Sequence, residues 1–284
     1  MISSSKIILG TANFTQTYGI LKTKVEKKNI KSILDYAKRN NIDYLDTATD
    51  YGKLSNNLYD NLKKFKVFKK FDLNSNIFQN RFKKNIRKIK EENFSDLYCY
   101  GITLRQPNTL LKIRGKKCFE ILSYLRNIGV IKKIGISIYN TKNLRKIIEN
   151  FKIDYIQLPL NIVNKGVYQS TKKIIKNRKI EIHARSVFLQ GLLLKKNDQL
   201  PSKLKNLTND WRKIDTKFRK MNISRYTACL NFVMSQNVDK IIFGVTNSLQ
   251  LSNILKAKKV RKTIPFFEVK NQKLIDPIYW LKNL

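Results

Sequence analysis

Short runs rich in β-branched and other apolar residues alternate along this chain with longer segments whose apolar residues recur three and four positions apart. The first pattern suits strands buried on both faces, and the second suits helices that bury one stripe. Eight runs stand out: "KIILG" at 6–10, "DYLDT" at 43–47, "KVFKKF" at 66–71, "LYCYGITL" at 97–104, "KKIGISIY" at 132–139, "DYIQLPL" at 154–160, "KIEIHARSVF" at 179–188 and "KIIFGV" at 240–245. Between them Ile30, Ile33, Leu34 and Ala37 fall on one helical face. So do Cys118, Leu122 and Leu125, then Cys229, Phe232 and Val233, then Leu251, Ile254 and Leu255.

Strands alternating with helices predict a parallel sheet. Eight strand–helix units close most economically into an α/β fold of the (β/α)8 TIM barrel type, with its chemistry on the loops after the strand C-termini. The 284 residues suit one such barrel, and neither a Pro/Gly-rich linker nor a low-complexity tract divides them, so residues 1–284 are expected to form a single domain. The longest gap between strands, 188 to 240, carries "LQGLLLKKNDQLPSKLKNLTNDWRK" and predicts a long loop or extra helix after strand seven.

Composition narrows the class. No apolar run approaches the roughly 20 residues that a bilayer span requires, and "MISSSKIILG" lacks the anatomy of a signal peptide. A cytoplasmic protein with no membrane partner is expected. Cys99, Cys118 and Cys229 are odd in number and irregular in spacing, which suits neither a disulfide framework nor a zinc site. With 58 basic residues against 20 acidic ones the net charge is +38, a strong positive field. The 45 lysines are scattered, and no nucleic-acid-binding signature accompanies them. Diffuse attraction to polyanions is expected, without a specific nucleic-acid partner.

The segment "NNIDYLDTATDYGKLSNN", residues 40–57, places Asp46, Asp50 and Tyr51 at the exit of strand two. One reading is a solvated turn. The other is a proton-donating tyrosine beside a carboxylate. Around it, in order, stand "LGTANF", "LDTATDYG", a lysine ending strand three, "GISIY", "IQLPLN", "ARSVFLQGLLL" and "GVTNSLQL". Over nearly its whole length the chain therefore resembles the aldo-keto reductases, barrels that transfer a hydride between a nicotinamide cofactor and a carbonyl or alcohol. A hydride reaching a carbonyl carbon leaves negative charge on oxygen, which a donor must neutralise. The resemblance implies Tyr51 as that donor, Lys70 as the cation that lowers its pKa, and Asp46 as the acid that holds Lys70. Side chains alternate along a strand, so only one of Lys69 and Lys70 points inward. The family pattern selects Lys70, before "FDL". A plain buried salt bridge between strands is the alternative reading of Asp46 and Lys70, and Asp50 reads as a loop acid.

The sequence departs from the family at strand four, where a histidine is expected. Matching "YGITLRQPNTLL" to that exit places Arg105 at the histidine position, and a second register places Gly101 there. Arginine stays protonated and donates in a fork, so it can stabilise charge but not shuttle protons. Its charge is expected to favour an ionised Tyr51. The sole histidine, His183, shares a strand face with Arg185 and is expected a layer deeper than the site.

For the cofactor the resemblance implies Gly10 and Thr11 after strand one, Ser137 and Gln157 on the nicotinamide carboxamide, and Asn161 toward the pocket. It places Arg185 where many members stack a tyrosine on the nicotinamide ring, Ser186 to Gln190 along the pyrophosphate, and Gly244 and Asn253 in a phosphate-binding strand exit. NADP(H) is the implied cofactor. NAD(H) stays open, because Gly244 and Gln250 stand where many members carry basic residues for the 2′-phosphate. Many members also begin with a β-hairpin that plugs the barrel floor. Only five residues precede the first run here, so a barrel without that hairpin is expected, with segment 262–284 packing on the barrel, either over its floor or beside the pocket. The implied activity is reduction of a small-molecule aldehyde or ketone, with a sugar-derived carbonyl suggested by the form of strand seven. The alternative is a barrel that binds cofactor or ligand without turnover. Nothing in the sequence specifies an oligomeric state.

Overall fold

The computed structural model describes residues 2–19, 23–51, 61–62, 64–72, 99–276 and 279. Each of the eight apolar runs contributes one strand: β1 (Ile7–Gly10), β2 (Tyr44–Ala48), β3 (Lys66–Phe71), β4 (Gly101–Leu104), β5 (Lys133–Ser137), β6 (Tyr155–Pro159), β7 (Glu181–Arg185) and β8 (Lys240–Gly244). They pair in parallel, in sequence order, into a closed barrel, β8 returning to β1. The described residues thus form a (β/α)8 barrel, a closed parallel sheet with helices outside it. Among the described residues these are α1 (Ala12–Thr15), α2 (Lys27–Arg39), α3 (Ile113–Asn127), α4 (Leu144–Asn150), α5 (Gly166–Ile174), α6 (Thr208–Met221), α7 (Arg225–Met234) and α8 (Ser248–Leu255).

The helical stripes land close to the positions read from the spacing. α2 buries Ile30, Ile33, Leu34 and Ala37. It stops where the Asn40 side chain donates to the Tyr36 carbonyl at 2.8 Å and Asn41 turns left-handed at φ 56°. α3 buries Leu122 and Leu125 as expected, with Phe119 buried beside them and Cys118 only half-buried. Phe119 packs on Phe151 with centroids 4.9 Å apart, the larger contact at that end of the face. The gap after β7 does hold an extra helix, α6, which buries Trp211, Ile214 and Phe218 and ends at Asn222 in the left-handed region.

Inside the barrel, Ile8, Phe68, Tyr155 and Ile242 fill the middle. Phe68 meets Tyr155 edge-on at 4.9 Å, and the His183 ring stacks on Tyr155 at 4.6 Å. Glycines make room for these rings. A Cβ on Gly101 would stand 2.7 Å from the Phe68 ring, and one on Gly135 would lie within the contact radius of Tyr155. Below this layer Lys66 and Lys240 lie over Tyr44, with Nζ to centroid distances of 5.5 and 4.0 Å. Lys133 pairs with Glu181, which also accepts from His183 Nε2 at 3.0 Å.

Ahead of β1 the described residues form one 3-10 turn, Ser4–Lys6. Lys6 donates to the Val238 carbonyl and Lys240 to the Ser5 carbonyl, which ties this turn to the β8 side of the floor. The C-terminal tail takes the other of its two expected places. Phe267 N donates to the Ile162 carbonyl, just beyond the C-terminal end of β6, and its ring meets Phe218. The tail's described residues therefore border the upper, loop-bearing side of the barrel rather than the floor; Trp280 falls outside the described residues. Cys99 and Cys229 are buried and all three cysteines are free. No helix of the described residues is long and apolar enough to cross a membrane.

Gly135→Ala is expected to destabilise the protein by about 1–3 kcal/mol, because the new methyl overpacks against Tyr155. Urea unfolding should show a lower midpoint at unchanged slope, and an unchanged midpoint would refute this packing. A second outcome concerns acid. Burial holds the His183 pKa below its ordinary value, so the unfolded chain takes up a proton near pH 6.5 that the fold resists. The bond from His183, outweighing the cost of burial, brings the Glu181 carboxyl down to about 2, so its contribution is present above about 4.5 and is lost as pH falls toward 2. Urea midpoints should decline from pH 7 to 5.5 and again below 4.5. His183→Gln should abolish the first decline and, by weakening the bond that holds Glu181 down, also make the second shallower.

Candidate functional site

Asp46, on the inner face of β2, anchors the upper end of the barrel. Its carboxylate forms a buried ion pair with Lys70 of β3 and accepts from Gln157 Nε2 of β6 at 2.8 Å. Its backbone carbonyl accepts from both the amide (2.9 Å) and the hydroxyl (3.1 Å) of Thr11, which follows β1. Asp46 and Lys70 are only 3% and 7% exposed, so the charges must neutralise one another. Lys69, on the opposite face, lies over Phe71.

Tyr51 stands at the mouth above this pair, half-buried. The guanidinium of Arg105 lies 5.5 Å from its ring centroid and donates to Asp50 Oδ2 at 2.5 Å. Arg105 N extends the ladder by donating to the Phe71 carbonyl at 3.0 Å, which puts position 105 at the site. Gly101 sits at the start of β4, opposite Phe68 in the register, where no histidine side chain would fit. Asp50, read from the sequence as a loop acid, is the counter-charge of Arg105. The effect of Arg105 on Tyr51 has the expected sign but is outweighed by burial. Desolvation and then the Asp46 charge push the phenol well above its ordinary pKa, and Arg105 pulls it only part of the way back. Tyr51 is therefore protonated in the folded protein at neutral pH, rather than ionised or lowered. His183 is fully buried below, with Nε2 on Glu181 and Nδ1 unpartnered, and does not reach this mouth.

Across the barrel, Ser137 and Gln157 are register partners on β5 and β6. Both are buried, and because Gln157 gives its Nε2 to Asp46, its Oε1 is left without a partner. Arg185 closes β7 and reaches back over β6: one guanidinium nitrogen donates to the Ile138 carbonyl at 3.2 Å, another to Ser186 Oγ at 3.4 Å, and the group lies 4.1 Å from the Tyr139 ring centroid. Asn161 is used within the loops, donating to the Ser186 carbonyl and accepting from Val163 N, so it braces the β7 exit instead of facing a pocket. In the loop beyond, Ser186, Leu189, Gln190 and Gly191 all have positive φ, and Gln190 Nε2 donates to the Tyr18 hydroxyl at 3.3 Å. Gly10 is buried against Ile242, whereas Gly244 is exposed with open space about it and Asn253 is exposed on α8. The first turn of α8 is already engaged, Asn247 accepting from Gln250 N and Gln250 Oε1 from Thr246 N.

Two phenols that the sequence reading passed over belong here. Desolvation on its inner side, followed by the neighbouring Tyr51, raises the phenol of the partly exposed Tyr18 above its ordinary pKa, and the charges of Arg185 and Lys70 act on it in the opposite sense. Tyr139 carries the Arg185 guanidinium. Tyr139 follows the exit of β5 in "ISIY" and Tyr18 lies beyond α1 in "TYG", and neither spacing marks a site in sequence. Beside the site a cavity of about 390 Å³ is bounded by Tyr139, Ser186, Pro159 and Val163 and by Phe266 and Gln272 of the tail. Asp46, Tyr51, Lys70 and Arg105 do not line it.

No curated protein sequence matches this chain. Among solved structures, glycerol dehydrogenase from Gluconobacter oxydans superposes with a TM-score of 0.65 at 15% identity, covering 91% of this chain and 88% of that one. An aldo-keto reductase from Bacillus halodurans in its holo form gives 0.60 at 16% identity, covering 90% and 88%. At such identities the likeness is one of fold. The ordered motifs at the strand exits, the closed barrel that positions them and a match to the aldo/keto reductase family model over residues 6–269 lead to one conclusion: the chain belongs to the aldo/keto reductase family, oxidoreductases that act on carbonyl compounds.

Proposed function

We propose that this protein reduces an aldehyde or ketone with NADP(H) or NAD(H), Tyr51 donating the proton. The observation that carries this reading is a phenol at the mouth of the barrel, flanked by Arg105, above a buried and charge-balanced Asp46–Lys70 pair. The unpartnered Gln157 Oε1 fits the cofactor, since a carboxamide N–H would satisfy it, with Ser137 on the adjacent strand as a second contact. When bound there, a reduced nicotinamide supplies the hydride.

The side chains of the chain do the rest. Tyr51 gives its proton to the carbonyl oxygen as charge develops on it. Lys70, fixed by Asp46, offers the ammonium that steadies the phenolate left behind. Arg105, fixed by Asp50, adds a permanent positive charge beside the reacting oxygen without any proton to exchange. The Arg105–Asp50 bridge beside Tyr51 also favours a second reading, a barrel that binds cofactor or ligand but turns over little. NADP(H) is preferred by family likeness. The substrate is a small carbonyl compound, of sugar-derived type by the same likeness, in a cytoplasmic protein without a specific nucleic-acid partner.

Tyr51→Phe should lower carbonyl reduction by about 10²-fold or more while leaving cofactor binding by calorimetry unchanged. Equal turnover in both proteins would show that the proton comes from elsewhere, and cofactor binding without turnover in either would favour the second reading. Arg105→His should introduce a limb near pH 6.5 in a kcat/KM profile that is flat there in the wild type, because only histidine titrates in that range. A limb already present in the wild type would contradict the role given to Arg105.

A further inference from the structure

We propose that Arg185 makes this site selective for the redox state of its cofactor, accepting the reduced nicotinamide and disfavouring the oxidised one. The inference rests on the cofactor half of the function proposed above and not on proton donation by Tyr51. Its starting point is where the guanidinium goes. From the last residue of β7 it crosses β6 and donates to the carbonyl of Ile138, the residue after Ser137, while Tyr139 supports it at 4.1 Å. Arg185 is register partner to Pro159, two residues beyond Gln157, so its head lies one layer above the unpartnered Oε1. A carboxamide taken by Gln157 and Ser137 brings its ring against that head.

Charge balance gives this contact its consequence. Asp46 is committed to Lys70 and Gln157, and Asp50 to Arg105. Among the described residues no carboxylate lies within ion-pair distance of Arg185, whose partners are a carbonyl, a hydroxyl and a phenol ring. An oxidised nicotinamide ring is a cation and the reduced ring is neutral and electron-rich. Arg185 therefore repels the first and stacks favourably on the second. Arg185 is partly buried, so the repulsion is only partly screened. The oxidised product leaves readily, which suits a protein that works as a reductase.

The test is calorimetric titration of the full chain with NADPH, NADP⁺, NADH and NAD⁺ in the absence of substrate. In the wild type the reduced form of the preferred nucleotide should bind at least tenfold tighter than its oxidised form, a preference that raises the potential of the bound couple by about 30 mV per tenfold. Arg185→Gln should bring the ratio toward one, chiefly by tightening the oxidised form. Arg185→Lys, which keeps the charge, should retain most of the ratio and guards against a merely misfolded variant. Equal weakening of both forms by Arg185→Gln would overturn the proposal and place the guanidinium on the pyrophosphate. A wild-type ratio near one would also overturn it. Failure of all four nucleotides to bind a folded wild type would sink the cofactor reading itself, and this proposal with it.

Discussion

A carboxylate placed inside a barrel cannot remain ionised alone, and the upper half of this protein is arranged around that fact. Asp46 takes an ammonium from β3, an amide from β6 and, through its backbone, an amide and a hydroxyl from the segment after β1. Removing either Asp46 or Lys70 would leave a buried charge without a partner, at a cost of about 3–5 kcal/mol. The pair also fixes what faces the mouth. Because the nitrogen of Gln157 must go to the acid, its oxygen is the atom left over. A structural ion pair thereby decides which atom of Gln157 is left without a partner.

Beneath the pair, packing keeps the two ends of the barrel apart. The rings of Phe68, Tyr155 and His183 occupy the middle, and Gly101 and Gly135 are the positions that admit them. Large and small side chains on neighbouring strands thus interdigitate into a filled interior. The lysines and Glu181 of the floor consequently act on one another and on His183, while the charges of the mouth act on the phenols.

The sequence carried the strands well because β-branched runs such as "IILG", buried at every position, and "KIIFG", buried at its three central ones, leave little freedom of interpretation. Arg105 was legible from "RQPNTLL", a local pattern. What escaped was everything set by distance in space. Asp50 looked like a turn acid until the exit of β4 brought an arginine to it. The protonation of Tyr51 depends on burial, which no spacing reports, and outweighs the nearby cation that the sequence did reveal. The tail was ambiguous for a related reason: Phe266 and Phe267 announce a need for cover but not its location, and only the contact with Ile162 and Phe218 decides it.

The stapling of the first turn to the last strand bears on how the chain reaches this state. Lys6 bonds to a carbonyl 232 residues further on, and β1 has β8 as its second neighbour. During synthesis the first strand therefore waits, with one edge unpaired, until most of the chain has emerged. An apolar strand so exposed is an invitation to wrong pairing. Lys6, at its leading end, places a positive charge beside that exposed strand, and like charges on neighbouring copies disfavour edge-to-edge pairing.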